Sequence, residues 1–349
     1  MKLPAISIVV CVLFILHAAC SVESRRSFRS WEYTSIFAFG DSFADVGNTP
    51  GKSHGPVSRA WYYPYGESVT TGRAKATGRF SDDKVQSDFL AKTILGLHEA
   101  PPAYNRVGFH LYLNGVTFAT GGAGVFQVPA ANVTTIGQQV DSFERLLKKG
   151  TISRSRLRYS VFLVAVSGND YEPAISNEML AAKVTDEIVA IVNRLRKLGA
   201  KKILVNNMHP LGCAPRRARY GNTGNYTGCD QHGNAIASVH NNLLEQKLAN
   251  TNDTVLVLDI NTAFTKIING SYGSDQFTNR LRPCCEATDP KGYCGRGDNA
   301  GVLEFNFKLD MDHVNSYFYW DEMNPTNAGW KAVMKQLERT IKDFLSTDH

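Results

Sequence analysis

Five short apolar runs recur along the chain, most of them followed by a segment with helical spacing. They are Ser35-Ile36-Phe37-Ala38-Phe39, Gly115-Val116-Thr117-Phe118-Ala119, Ser160-Val161-Phe162-Leu163-Val164-Ala165-Val166, Lys202-Ile203-Leu204-Val205 and Thr254-Val255-Leu256-Val257-Leu258. Near-continuous apolar strands with little polar alternation belong to a parallel sheet covered on both faces. Met179-Leu180, Val184, Ile188-Val189, Ile191-Val192 and Leu195 fall on one stripe, which predicts a helix over 177–198 stopped by Gly199. Trp330, Val333-Met334, Leu337, Ile341 and Phe344-Leu345 predict a last amphipathic helix. Alternating strand and helix predicts βαβ units with right-handed crossovers, an α/β fold. The stretches 49–75 and 270–315 read as long irregular connections. No disordered linker and no internal repeat interrupts the pattern, so residues 30–349 are expected to form one domain.

The pattern at the N-terminus differs. Lys2 precedes a run from Leu3 to Val22 that lacks Lys, Arg, Asp and Glu, and small residues Ala18, Ala19, Cys20 and Ser21 close it. This is the composition of a secretory signal peptide, expected over residues 1–21. Its strongly apolar core is shorter than the roughly 20 residues of a spanning helix, and no later segment is apolar enough to span a bilayer. A secreted, extracellular destination makes disulfides the expected use of the cysteines. Cys213/Cys229 and either Cys285/Cys294 or Cys284/Cys294 are the close pairs, with one thiol left over. No Cys-x-x-Cys or His-x-x-x-His spacing suggests a metal, and no cofactor is expected. Sequons at Asn132, Asn225, Asn252 and Asn269 fit a glycosylated secreted chain. The formal charge is +6, from 38 Lys and Arg against 32 Asp and Glu, with no basic stripe interleaved with aromatics. Nucleic acid is therefore not an expected partner. Nothing in the pattern fixes an oligomeric state.

In open parallel sheets ligands sit at the carboxyl ends of the strands, so the residues after each run are the candidates for chemistry. Gly40-Asp41-Ser42-Phe43 follows the first, Thr120-Gly121-Gly122-Ala123-Gly124 the second and Ser167-Gly168-Asn169-Asp170 the third. If these strands are neighbours, a hydroxyl, backbone N–H groups and a side-chain amide converge, as acyl transfer requires. Gly51-Lys52-Ser53-His54-Gly55 matches G-x-S-x-G, but it sits in a Gly- and Pro-rich loop without the strand and helix that motif needs.

Phe39-Gly40-Asp41-Ser42-Phe43-Ala44-Asp45-Val46-Gly47-Asn48 resembles the first block of the plant GDSL esterase/lipases, a branch of the SGNH hydrolases. Further blocks follow in the family order. They are Pro64-Tyr65-Gly66, Thr77 to Asp82, Phe118 to Gly124, Gly168-Asn169-Asp170-Tyr171, Pro210 to Pro215 and Trp320-Asp321-Glu322-Met323-Asn324-Pro325-Thr326. The resemblance implies a three-layer α/β/α sandwich with a mostly parallel five-stranded sheet. It also implies hydrolysis of lipid or small acyl esters through a serine acyl-enzyme. By position it makes Ser42 the nucleophile, and Ser42, Gly121 or Gly122, and Asn169 the oxyanion donors. Gly122 aligns better than Gly121. Asp321 falls on the triad aspartate, and Asn324 on the triad histidine. A carboxamide cannot take the serine proton at physiological pH, so turnover is expected to be impaired. His313 and His209 are the candidate substitute bases. A catalytically silent binding protein on the same fold, or an acyltransferase, are the alternative readings.

Overall fold

The computed structural model describes residues 33–51, 56–68, 75–106, 112–128, 133–171, 178–220, 225–251, 253–271, 273–289, 292–295 and 306–347. The signal segment, Asn132, Asn252 and most of the G-x-S-x-G decoy lie outside them. Strands β1 (Ser35–Gly40), β2 (Gly115–Thr117), β3 (Ser160–Ala165), β4 (Lys202–Asn206) and β5 (Val255–Leu258) form one sheet in the order β2-β1-β3-β4-β5. Every pairing in it is parallel. Each of these strands coincides with an apolar run of the sequence. The long helices are α1 (Gln86–Leu95), α2 (Ile136–Lys148), α3 (Glu178–Leu198), α5 (Gln231–Leu248), α6 (Ile260–Ile268) and α7 (Asn327–Ser346), with a short α4 (Pro215–Tyr220) between α3 and α5.

The sheet is covered on both faces, which is why its strands carry no polar alternation. Phe37, Phe39, Phe162, Val164, Ile203 and Val205 point to one side, against the apolar stripes of α2, α3 and α5. On that side the rings of Phe37, Phe39 and Phe162 pack on Phe143 at centroid distances of 5.0, 5.7 and 5.7 Å. Such pairs contribute roughly 0.5–1.5 kcal/mol each beyond area burial. Helices α1, α6 and α7 cover the opposite face, with α7 packed on both α1 and α6. The result is the expected three-layer α/β/α sandwich.

The irregular stretches hold more structure than their sequence suggests. Within 270–315 and just after it, β6 (Asn279–Pro283) pairs with β9 (Tyr317–Tyr319), and β7 (Cys285–Ala287) pairs with β8 (Phe307–Leu309). Disulfides join Cys213 to Cys229 and Cys285 to Cys294, leaving Cys284 as the buried free thiol. Among the described residues, no helix is long and apolar enough to cross a membrane.

Candidate active site

Because β1 lies between β2 and β3, the three glycine-rich strand ends are neighbours. β1 stops at Gly40, where φ is +141° and a Cβ would lie 1.9 Å from Ala165 O, so only glycine fits. The Gln139 side chain of α2 closes this end, accepting from Gly40 N and donating to Gly40 O, both at 2.8 Å. The buried Asp41 carboxylate accepts from Phe43 N (3.1 Å), Ser167 N (2.6 Å) and Asn169 Nδ2 (3.3 Å). Burial pushes the Asp41 carboxyl up to about 7, against these donors. Ser42 stands at the turn, 7% exposed. Neither its N–H nor its Oγ has a hydrogen-bond partner among the described residues.

The glycine turn after β2 is held by Asp45. One carboxylate oxygen accepts from Gly47 N and Asn48 N at 2.7 and 2.6 Å. The other accepts from Thr49 N (3.2 Å), the Thr49 hydroxyl and Gly121 N (2.8 Å). Gly121 N also reaches Thr49 Oγ1 at 2.8 Å. This corrects one expectation: the Gly121 N–H is already engaged and leaves the candidate donors. Gly122, with φ of +80°, has an N–H without a partner among the described residues. Asn169 Nδ2 bridges the two walls, donating to Ala123 O at 2.8 Å as well as to Asp41. Only its long bond to Asp41 is weak enough to give way easily to a ligand oxygen.

Asp321 and Asn324 occupy a tight loop ahead of α7. Trp320 N donates to Asn324 O at 2.7 Å, and Asp321 Oδ1 accepts from Met323 N and Asn324 N at 2.9 and 2.7 Å. Thr326 then caps α7, accepting from Gly329 N at 2.9 Å. Asn324 Nδ2 lies 3.0 and 3.1 Å from the two Asp321 oxygens, while its buried Oδ1 has no partner among the described residues. Asp321 also accepts from Tyr65 Oη (2.8 Å) and Arg59 Nη2 (3.3 Å). Arg59 Nη2 pairs with Glu322 at 2.6 Å, and Arg59 Nε donates to Tyr65 Oη at 2.7 Å. Burial works against the Arg59 charge, but Glu322, Tyr65 and Asp321 outweigh it and hold the guanidinium pKa above its ordinary value.

Several contacts bring this loop to the Ser42 side. Ser81 Oγ donates to Pro325 O (3.3 Å), and Asn327 N donates to Asp82 (2.6 Å). The Phe43 ring meets Trp330 edge-on at 4.8 Å. Phe80 fills the space that a Cβ on Gly121 would enter, and Arg59 lies 5.5 Å from the centre of that ring.

The two candidate substitute bases lie in different surroundings. His209 is buried, with Nε2 3.0 Å from Ser167 O and its ring 5.4 Å from both Phe43 and Phe264. Burial pushes its pKa down to about 4. His313 is exposed, with Nδ1 on Asp310 at 2.9 Å. Neither is hydrogen-bonded to Ser42 among the described residues. The sequons Asn225 and Asn269 are exposed.

Sequence reading missed Asp45, Thr49, Gln139, Arg59, Tyr65 and Glu322. Asp45, Tyr65 and Glu322 sit inside quoted blocks, so their places there were usable signals. Arg59 and Gln139 carry no local pattern, because their partners lie 262 and 99 residues away. Chemically, the arrangement offers the Ser42 hydroxyl and unpartnered N–H groups at Ser42 and Gly122, and among the described residues no imidazole is hydrogen-bonded to that hydroxyl.

A family model described as GDSL-like Lipase/Acylhydrolase matches residues 36–337. The chain is similar to several GDSL esterase/lipases of Arabidopsis thaliana. One is 35% identical over 328 residues, covering 88% of this chain and 87% of the relative. A second is 33% identical over 351 residues, covering 94% of each chain. A third is 31% identical over 341 residues, covering 93% of this chain and 99% of the relative.

Proposed function

Since the chain belongs to the GDSL-like lipase/acylhydrolase family, we propose that it is a secreted carboxylic-ester hydrolase acting slowly through a Ser42 acyl-enzyme. In this reading Ser42 Oγ adds to the ester carbonyl carbon and its proton passes to water. The N–H groups of Ser42 and Gly122 receive the oxyanion, joined by Asn169 Nδ2 once its 3.3 Å bond to Asp41 yields. The carbonyl re-forms as the alcohol leaves, protonated from solvent. Water then cleaves the acyl ester and restores the serine. Lipid or small acyl esters are the substrate class. The disulfides and the exposed sequons Asn225 and Asn269 support an extracellular setting.

A slow rate is supported by Asn324, assigned to the histidine position by the resemblance, whose amide nitrogen is directed to Asp321. A carboxamide holds this contact but takes no proton near neutrality. In subtilisin, losing the histidine costs about 10⁶-fold in turnover and leaves roughly 10³–10⁴ over water. The same observation favours a second reading, a binding protein that retains ester or acyl groups without turning them over.

The test is hydrolysis of a p-nitrophenyl ester, together with labelling by a serine-directed phosphonate. Asn324→His is expected to raise turnover by about 10²-fold or more, recovering part of the general-base contribution. Ser42→Ala is expected to abolish turnover in both backgrounds and to prevent labelling. Wild-type rates surviving Ser42→Ala overturn the nucleophile assignment. Silence of both wild type and Asn324→His, with retained affinity for an ester analogue, selects the binding reading.

A further inference from the structure

The loop carrying Arg59 and Tyr65 has no part in the acyl chemistry, yet both side chains close on Asp321. A buried carboxylate needs a compensating cation or several donors. In a Ser-His-Asp site the cation is the imidazolium that forms as the serine proton is taken. Asn324 is neutral and supplies only N–H groups. Arg59 is the guanidinium in contact with Asp321, and the fork that reaches Asp321 at 3.3 Å also holds Glu322 at 2.6 Å. Tyr65 Oη joins the two, accepting from Arg59 and donating to Asp321. The remaining Asp321 contacts come from its own loop, through Met323 N, Asn324 N and Asn324 Nδ2.

We infer that Arg59 is a positioning residue that supplies, beside Asp321, the cation a carboxamide at position 324 cannot. The inference rests on the reading of Asp321 and Asn324 as the aspartate and histidine positions of the site. It also explains why a fully buried carboxylate persists there without an imidazole. Arg59 and an imidazolium at 324 then compete for the same negative charge, so positions 59 and 324 are energetically coupled. The groups facing Asp321 are Arg59 and Tyr65 from the 56–66 segment and Glu322 from its own loop, with Arg216 of α4 acting on Glu322.

The decisive measurement needs no catalysis. Thermal stability of wild type, Arg59→Gln, Asn324→His and the double variant is compared at pH 5 and pH 8, and the installed imidazole is titrated by NMR. Removing a cation this close to Asp321 is expected to raise the imidazole pKa by roughly one pH unit or more. Arg59→Gln should lower the melting temperature less in the Asn324→His background than in wild type at pH 5. At pH 8, where the imidazole is neutral, the two losses should match. Glu322→Gln, which frees Arg59 for Asp321, should lower the imidazole pKa, and Arg59→Lys should leave it nearer the parent value than Arg59→Gln does. A purely structural Arg59 would leave the imidazole pKa the same in Arg59→Gln and in Arg59→Lys. Equal stability losses in both backgrounds at both pH values, or an imidazole pKa indifferent to positions 59 and 322, overturn the inference. If Arg59→Gln does not fold in either background, the Asn324→His imidazole decides alone: a pKa no higher than the ordinary value of about 6.5 supports the inference, and one raised by about a unit or more, as beside an uncompensated carboxylate, overturns it. If the imidazole responds as described while esterase activity stays absent, the proposed hydrolysis fails and the role of Arg59 stands.

Discussion

Asp45 shows how much of the site's shape depends on a single buried side chain. Its buried carboxylate collects Gly47 N, Asn48 N, Thr49 N, the Thr49 hydroxyl and Gly121 N, tying the Ser42 loop to the glycine turn. Asp45→Asn turns an N–H₂ toward some of these donors and leaves buried groups unsatisfied, at about 1–3 kcal/mol for each orphaned group. A urea titration should therefore show a loss of at least about 2 kcal/mol. Any ester turnover should fall with it, since Gly122 moves with Gly121. Stability within about 0.5 kcal/mol of wild type, the range of neutral surface changes, would count against this role. Asn324 works at the same scale. Its backbone N–H and its Nδ2 both face Asp321, so the loop is held although residue 324 carries no base.

Strand ends and helix starts do the positioning at the next scale. Thr135, Asp230, Asp259 and Thr326 each cap a helix with a side-chain oxygen, accepting from Gln138 N, Gly233 N, Thr262 N and Gly329 N. Thr326 matters most for the site, because the Asp321–Asn324 loop runs directly into it. Its hydroxyl also donates to Tyr317 O at 2.9 Å, so the cap joins α7 to β9. Thr326→Ala is expected to cost about 1–2 kcal/mol by losing a buried cap, readable as a shift of the urea midpoint at unchanged slope. Thr326→Ser should recover most of that loss. A neutral Thr326→Ala would mean that α7 is held by packing alone. The strands β1 to β5 were legible as elements because each is a continuous apolar run, buried throughout in β1 to β4 and half-buried at the centre of β5. The pairs β6–β9 and β7–β8 were not, since runs of three to five residues such as Asn279-Arg280-Leu281-Arg282-Pro283 have no periodicity to read. Their partners come from distant segments.

For the whole molecule, the buried histidines set an acid limit on stability. His209 and His240 are both pushed down to about 4 by burial, from an ordinary value of 6.5. The stability each contributes is present above 6.5 and is lost as pH falls through 4, because the unfolded chain takes up the proton first. For each this amounts to roughly 3 kcal/mol. Asp41, raised to about 7, acts in the opposite sense: its contribution is complete below 3.8 and is lost as pH rises through 7. The comparison that isolates the histidine effect is wild type against His240→Gln. Between pH 7 and pH 4.5 wild type should lose about 2–3 kcal/mol more than the variant. Parallel pH profiles for the two proteins would show that His240 is not buried neutral. By itself the sequence determined the order of strands and helices, the strand ends that carry Ser42, Gly122 and Asn169, and the absence of a histidine in the Asp321 block. These follow from local apolar runs and from residues adjacent in the chain. Only the tertiary structure decided that Gly121 N–H is occupied, that His209 and His313 face elsewhere, and that Arg59 lies against Asp321. Those facts depend on groups 76 and 262 residues apart meeting in a buried space, where hydrogen-bond saturation and charge compensation, not sequence spacing, select the partners.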